Sequence, residues 1–284
     1  MDEVAFLLRP RHGGWVIDGT VGMGGHAEAM LASSGADVRL LGLDADPASL
    51  EQAGARLAPF GDRVRLAHAS FADLEAVAAT HGVSEARAIL LDLGVSSWQL
   101  DASGRGLSFQ RDEPLDMRLD PTRGETAADL VNHLPEAELA RVLHEYGEER
   151  YARRIARVIV RRRPLATTGD LVAAVRAAVP RQAWPRRLHV ATRTFQAVRM
   201  AVNDEPGALR RALEAGPRLL AHGGRLGVIS FHSGEDRMVK QTFRTLERAG
   251  YAALEPSPLT PGDDEVRANP RARSAKLRVL ERLP

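Results

Sequence analysis

The chain has 284 residues, 44% of them hydrophobic, no cysteine and a net charge of +2. Disulfides, thiolate metal sites and cysteine nucleophiles are thereby excluded, and no metal site is expected. There is no run of eighteen apolar residues to span a membrane, and the acidic start Met1-Asp2-Glu3 lacks the basic region of a signal peptide, so a cytoplasmic location without a membrane partner is expected. The length suits one core carrying an insertion or a second small domain.

Trp15-Val16-Ile17 is a short apolar, partly β-branched run ending at Asp18, and Ala27 to Leu31 reads as the start of a helix. Between them lies DGTVGMGGH (18–26), with four glycines where a ligand can approach the backbone. Read as Gly22-x-Gly24-x-x-Ala27 it fits a dinucleotide fingerprint, and Asp44, closing VRLLGLD, lies where a ribose-binding carboxylate is expected. A tight βα turn with no ligand is the plainer reading. Asp46-Pro47 reads as an N-cap followed by proline at the first helical position, with Leu50, Ala53 and Leu57 on one face. Further apolar runs at 63–69 and 86–93, with helical patterns between, predict βαβ units and a parallel sheet.

After Leu93 the rhythm breaks. DLGVSSWQLD (92–101) follows the fourth strand, so it belongs at the carboxyl edge of the sheet, where ligands bind. It offers Asp92, Ser96 and Gln99, although Asp92 and Ser96 could equally cap a loop. RGLSFQRDEPLDMR (105–118) adds Asp116 and Arg118. Residues near 106–200 hold no convincing strand. The spacing predicts one long amphipathic helix over 135–164, with Tyr151, Ile155, Val158 and Ile159 on one side and Arg150, Arg153, Arg154, Arg157 and Arg161 largely on the other. A second helix is predicted over 167–180, started near Thr168 or Asp170 and stopped by Pro180.

Charge is concentrated in this insertion: residues 141–200 carry fourteen arginines against four acidic residues. Only Lys240 and Lys276 are lysines. Arginine's planar fork suits phosphates and stacked bases, so nucleic acid is the expected partner, although an arginine-rich proteome would give the same bias. The sheet rhythm resumes with a helix over 206–221, a turn at His222-Gly223-Gly224 and a strand over 225–232. ISFHSGEDRMVK (229–240) then brings His232, a base, a base-reader or a structural strand-end histidine. NPRARSAKLR (269–278) supplies Arg271, Arg273 and Lys276 as nucleic-acid contacts ahead of a final strand over 274–282.

Together DGTVGMGGH, LGLDADP, ILLDLGVSSWQLD, RGLSF with PLDMR, FQAVRMAVNDE, SFHS with EDRMVK, and NPRARSAKLRV resemble, in order and spacing, the bacterial S-adenosylmethionine-dependent methyltransferases that modify the exocyclic N4 of a cytidine in small-subunit ribosomal RNA. The resemblance covers nearly the whole chain. It implies an α/β fold of the class I S-adenosylmethionine-dependent methyltransferase type, with a Rossmann-like, mainly parallel sheet and an inserted helical domain. The core would comprise residues 1–105 and 201–284, and the basic insertion residues 106–200. The resemblance also implies S-adenosylmethionine as cofactor, small-subunit ribosomal RNA within the ribosomal subunit as partner, and direct attack of the amine on the methyl group. It leaves the choice between monomer and homodimer open.

Carried over residue by residue, Gly24, Gly25 and His26, next to Gly22, would line the methionine part of the cofactor, Asp44 the ribose hydroxyls and Phe71 the adenine, with Asp92 and Gln99 completing the pocket. Arg118, Arg153, Arg154, Arg157, Arg161, His232, Arg271, Arg273 and Lys276 would meet RNA. Without a cysteine to attack the base, the amine itself must be the nucleophile; an acceptor for its proton is sought in Asp92 and the DLGVS loop, then Asp116, with Ser96 nearby. Gly234 stands where the family has leucine, which predicts a looser turn after His232. The competing readings are a nicotinamide-dependent oxidoreductase, from Gly22, Gly24 and Ala27, and a non-enzymatic RNA-binding or assembly protein.

Overall fold

The structure, a computed structural model, describes residues 2–8, 13–186 and 188–284. It separates into two compact units, one made of Met1–Gly94 with Pro206–Pro284 and the other of Val95–Glu205. In chain order the first unit contributes α1 (Asp2–Leu8), β1 (Gly14–Asp18), α2 (Gly25–Ala32), β2 (Val38–Asp44), α3 (Pro47–Leu57), β3 (Val64–His68), α4 (Leu74–Thr80) and β4 (Ala86–Asp92). The second unit holds α5 (Ser97–Ala102), α6 (Ala127–His133), α7 (Glu136–Gly147), α8 (Ala152–Arg162), α9 (Thr168–Ala178) and α10 (Thr192–Val202). Then come α11 (Glu205–Leu219), β5 (Leu220–Ser230), α12 (Ser233–Leu246), β6 (Tyr251–Ala253), α13 (Asp263–Ala268) and β7 (Lys276–Arg282).

The seven strands form one sheet in the order β3-β2-β1-β4-β5-β7-β6. Strands β1 to β5 pair in parallel, and β7 runs antiparallel to both β5 and β6. This is the α/β, class I methyltransferase fold expected from the sequence. The chain starts at β1, goes outward through β2 and β3 and returns on the other side to β4, so β1 and β4 flank the switch point where open α/β sheets bind ligands. The inner strands are apolar on both faces, as burial on both faces requires. Val16, Leu40, Ala88 and Leu90 pack with Leu8, Met30, Leu31 and Leu57 on one face. Their neighbours Ile17, Leu41, Ile89 and Leu91 pack with Leu74, Leu213 and Phe243 on the other. Asp46 caps α3 through the Ala48 N–H with Pro47 just inside, as predicted.

Several expectations need correction. The helical unit begins at Val95 and runs to Glu205, rather than over 106–200. The helix predicted over 135–164 is two helices, α7 and α8, because Gly147 and the left-handed Glu148 end the first one. A side chain at position 147 would put its Cβ 2.5 Å from the Arg193 carbonyl, so glycine also lets α10 pass close by. Thr168 and Asp170 stand in the first turn of α9, as expected, and the cap is the preceding Thr167, whose hydroxyl accepts the Asp170 N–H while the Asp170 carboxylate accepts the Thr167 N–H. His222-Gly223-Gly224 lies inside β5, opposite a register shift near Ala86 and Ala88, and that strand ends at Ser230. The three residues of β6 carry no sequence signal of their own. The core of the helical unit is built from Leu139, Leu143, Ile155, Ile159, Leu171, Val175, Phe195 and Val198.

Candidate active site

Within the first unit, the carboxyl ends of β1, β2 and β4 bring Asp18, Asp44 and Asp92 to one sheet edge. The glycine loop between β1 and α2 is fastened to that edge through its backbone. Gly19 donates to the Leu90 carbonyl at 2.9 Å and Val21 to that of Leu43 at 2.8 Å. Gly22 donates to Asp44 Oδ2 at 2.8 Å, and the Asp92 N–H donates to Thr20 Oγ1 at 2.6 Å. Gly22 and Gly24 take φ of 51° and 83°, the left-handed region in which a side chain is strained. Gly24 is the residue from which α2 departs, so His26 lies in the first turn of that helix.

Asp44 accepts one backbone N–H on each oxygen, from Gly22 and from Asp46 at 2.9 Å. A carboxylate has further lone pairs, so it can still accept two hydroxyls. Burial raises its pKa, and these two N–H donors oppose the shift. Phe71 opens a short 3₁₀ turn after β3, and a Cβ on Gly19 would lie 3.2 Å from Phe71 Cβ, so the aromatic residue borders the loop. His26 Nε2 lies 3.6 Å from Asp92 Oδ2. Burial would lower the His26 pKa, but the nearby Asp92 carboxylate, with the charge of Asp18, raises it overall.

Asp18 is the site residue that the sequence reading did not assign, although it opens the glycine motif. It is 1% exposed, accepts only the Thr20 N–H at 3.2 Å from Oδ1, and leaves Oδ2 without a partner among the described residues. Burial pushes its pKa up to about 7; His26 and the Thr20 N–H oppose the rise, and Asp92 and Asp44 add to it. Asp92 Oδ1 and His26 Nδ1 are likewise buried without a hydrogen bond. Buried polar atoms are normally satisfied, so this edge of the sheet is built for a ligand that brings positive charge and donors. Those are the features of an S-adenosylmethionine ammonium and sulfonium. Among the described residues no cluster of His, Asp and Glu fit to hold a metal is present.

The other nominated residues lie elsewhere or have local partners. Ser96 and Gln99 belong to the helical unit and form a reciprocal capping box at the start of α5: Ser96 Oγ accepts the Gln99 N–H at 3.1 Å and Gln99 Oε1 accepts the Ser96 N–H at 2.9 Å. The capping alternative raised for Ser96 is therefore the one observed, and its hydroxyl is engaged. Asp116, nominated as an acceptor, is paired with Arg118, nominated for RNA, through Nε at 2.8 Å and Nη2 at 2.7 Å. Burial would raise the Asp116 pKa, but Arg118 outweighs it and holds the carboxyl below its ordinary value, a poor setting for a base. Met117 between them has φ 59°. This turn is clamped by Asn203, which accepts the Leu119 N–H at 2.7 Å and donates to the Met117 carbonyl at 2.8 Å.

His232 is the N-cap of α12, its Nδ1 accepting the Glu235 N–H at 3.4 Å. Its Nε2 lies 3.0 Å from Glu235 Oε1, close but not aligned as a hydrogen bond. Position 234 sits inside the first turn of this helix, so the looser turn expected there is not found; a Cβ would approach the His232 ring to 3.3 Å. Lys276 and Arg278 share Asp236, at 3.0 and 2.8 Å, whereas Arg271 and Arg273 are exposed. Arg153, Arg154, Arg157 and Arg161 all lie exposed on α8, with Arg157 3.5 Å from Glu136.

The chain is similar to known proteins over its whole length. It is 50% identical over 300 residues to a Geotalea daltonii protein named ribosomal RNA small subunit methyltransferase H, covering 99% of this chain and 96% of that one. A Symbiobacterium thermophilum protein of the same name is 50% identical over 302 residues, covering 100% and 95%. Among solved structures, a putative rRNA-methylase from Clostridium thermocellum aligns with a TM-score of 0.49 at 11% identity over 99% of this chain and 94% of that one. The model of the MraW methylase family matches residues 1–283, and the chain belongs to that family.

Proposed function

We propose that the protein transfers a methyl group from S-adenosylmethionine to the exocyclic N4 of a cytidine in small-subunit ribosomal RNA, presented within the ribosomal subunit in the cytoplasm. The observation that carries this reading is the underpartnered acidic cleft of Asp18, Asp44, Asp92 and His26, in a chain half identical to proteins named ribosomal RNA small subunit methyltransferase H. S-adenosylmethionine supplies an electrophilic methyl group on a positively charged sulfur.

In this reading Gly22, Gly24 and Gly25 admit the methionine end of the cofactor against bare backbone, and Asp18 faces its ammonium. Asp44 holds the ribose hydroxyls and Phe71 covers the adenine. Asp92, tethered by Thr20 and backed by His26, lies at the edge where the amine must approach. The amine nitrogen forms the new N–C bond as the methyl–sulfur bond breaks and sulfur keeps the electron pair. The excess proton leaves nitrogen for Asp92 or a carbonyl of the DLGVS loop. Positioning nitrogen in line with the methyl group supplies most of the acceleration, and the acceptor adds the effect of general-base assistance. Asp116 and Ser96, already engaged, take no proton. The exposed arginines of α8, with Arg271 and Arg273, hold the RNA backbone.

The test uses purified protein, S-adenosylmethionine labelled in the methyl group, and either small ribosomal subunits or free small-subunit RNA from a strain lacking the modification. Digestion to nucleosides should yield label in N4-methylcytidine. Label in 5-methylcytidine, or in neither substrate, overturns the reading.

A further inference from the structure

The charged groups that bear on Asp18 are His26 in the first turn of α2, Asp92 at the end of β4 and Asp44 at the end of β2. Asp44 in turn feels Asp46, the buried cap of α3, and His68 at the end of β3. None of these groups is a lysine or an arginine. Even with both histidines charged, four carboxylates would meet two cations. Like charges gathered in a low-dielectric site do not all ionise, so without a ligand the cleft keeps a proton.

The donors around each carboxylate decide where that proton sits. Asp44 accepts an N–H on each oxygen, from Gly22 and Asp46. Asp46 accepts the Ala48 N–H at the start of a helix, where negative charge is favoured. Asp92 reaches solvent with part of its side chain and has His26 Nε2 at 3.6 Å. Asp18 is sealed from solvent, its Oδ1 accepts a single N–H, from Thr20 at 3.2 Å, and its Oδ2 is bare. It is the least supported anion of the four. A neutral carboxyl in this position leaves one O–H unmatched, a smaller cost than an unmatched buried charge. Burial moves its pKa in the same direction. A primary ammonium reverses the preference, because it brings a unit charge and three N–H donors to the bare oxygen.

We propose that Asp18 selects the cofactor by charge exchange: its carboxyl holds a proton in the ligand-free cleft, and the primary ammonium of the ligand's amino-acid end takes that proton's place. The neutral carboxyl and the ammonium become a carboxylate–ammonium pair and one proton leaves for solvent, with no other bond made or broken. A nucleoside thioether that lacks the amino-acid end leaves the proton on Asp18 and gains nothing there. The proposal rests on S-adenosylmethionine being the cofactor, and makes its binding tighter as pH rises toward neutrality.

The test is calorimetry of S-adenosylhomocysteine and of methylthioadenosine, which has the same nucleoside and sulfur but no amino group, at pH 6, 7 and 8 in pairs of buffers that differ in ionisation enthalpy. The slope of binding heat against that enthalpy counts the protons exchanged. For S-adenosylhomocysteine the wild type should release about one proton at pH 6, about half at pH 7 and few at pH 8, with affinity rising by up to about tenfold per pH unit below pH 7. Methylthioadenosine should bind without this release, a comparison that needs no variant. Asp18→Asn, which melts cooperatively if folded, should bind S-adenosylhomocysteine more weakly at pH 8 and lose the release. Release that is absent at pH 6, that methylthioadenosine matches, or that survives in Asp18→Asn overturns the proposal. Binding of S-adenosylhomocysteine with no proton exchanged overturns it alone and leaves the methylation reading standing, whereas no binding at any pH overturns the cofactor assignment with it.

Discussion

Asp18→Asn should stabilise the cofactor-free protein in a strongly pH-dependent way. The wild-type carboxyl is shifted from 3.8 to about 7, so between those values the folded chain binds a proton that the unfolded chain has released. A raised carboxyl pKa therefore removes stability as pH rises through that window, by up to about 1.4 kcal/mol per pH unit. From pH 5 to pH 8 this amounts to roughly 2–3 kcal/mol, on the order of 5 °C in Tm for a chain of this size. The residue is 1% exposed, so solvent screening does not reduce the figure. Asparagine cannot ionise. It keeps the oxygen that accepts from Thr20, and any cost of its unpaired NH₂ is the same at every pH. The assay is thermal and urea unfolding of both proteins at pH 5, 6, 7 and 8 without cofactor, with the Asn-minus-wild-type difference plotted against pH. That difference should rise steadily to pH 7 and then level off. Parallel curves for the two proteins would show that Asp18 titrates normally and that the cleft does not store this charge. The same variant should bind S-adenosylhomocysteine more weakly in calorimetry, since the carboxylate that destabilises the empty cleft is the one facing the ligand's ammonium.

Asp44→Ala should weaken S-adenosylmethionine binding by about 2–3 kcal/mol, the range for truncating a charged hydrogen-bonding partner; calorimetry giving wild-type affinity would remove Asp44 from the ribose. Asp92→Asn should bind cofactor more weakly and recover much of its single-turnover rate at saturating cofactor. A variant still about 10²-fold slow under those conditions would instead make Asp92 the principal proton acceptor. Reversing Arg154 and Arg161 to glutamate should weaken RNA binding and lower its salt slope by about two without altering cofactor affinity. Equal loss of both affinities would signal misfolding.

Much of this architecture was legible because backbone constraints leave marks in sequence. Gly22, Gly24 and Gly25 announced a loop that side chains cannot enter, and Asp44 and Asp92, each closing an apolar run, were assigned to the site; Asp18 closes the first such run and carried the same mark without being assigned. Side-chain partnerships were less visible. Ser96 and Gln99 are three residues apart, the spacing of a capping box, and that local signal outweighed the catalytic reading of Ser96. Asp116 and Arg118 flank a methionine whose left-handed backbone brings them together, which residue spacing does not reveal. The helical break at Glu148 was marked by Gly147, but the arginine stripe continues across it and masked the stop.

Asn203 ties the end of α10 back to the turn around Met117, and Arg199 locks onto Glu205 through two bonds of 2.7 and 2.8 Å. These ties bear on how the chain folds. β4 pairs with β5, Asp92 beside Ile229, across the whole helical unit. Left as open coil, that detour would add about 2 kcal/mol of closure entropy over a connection of about a dozen residues, since each doubling of loop length adds about 0.6 kcal/mol. A helical unit that gathers its own early and late segments shortens the effective loop before the strands meet. Variants that loosen Asn203 would slow closure of a sheet whose strands they do not alter.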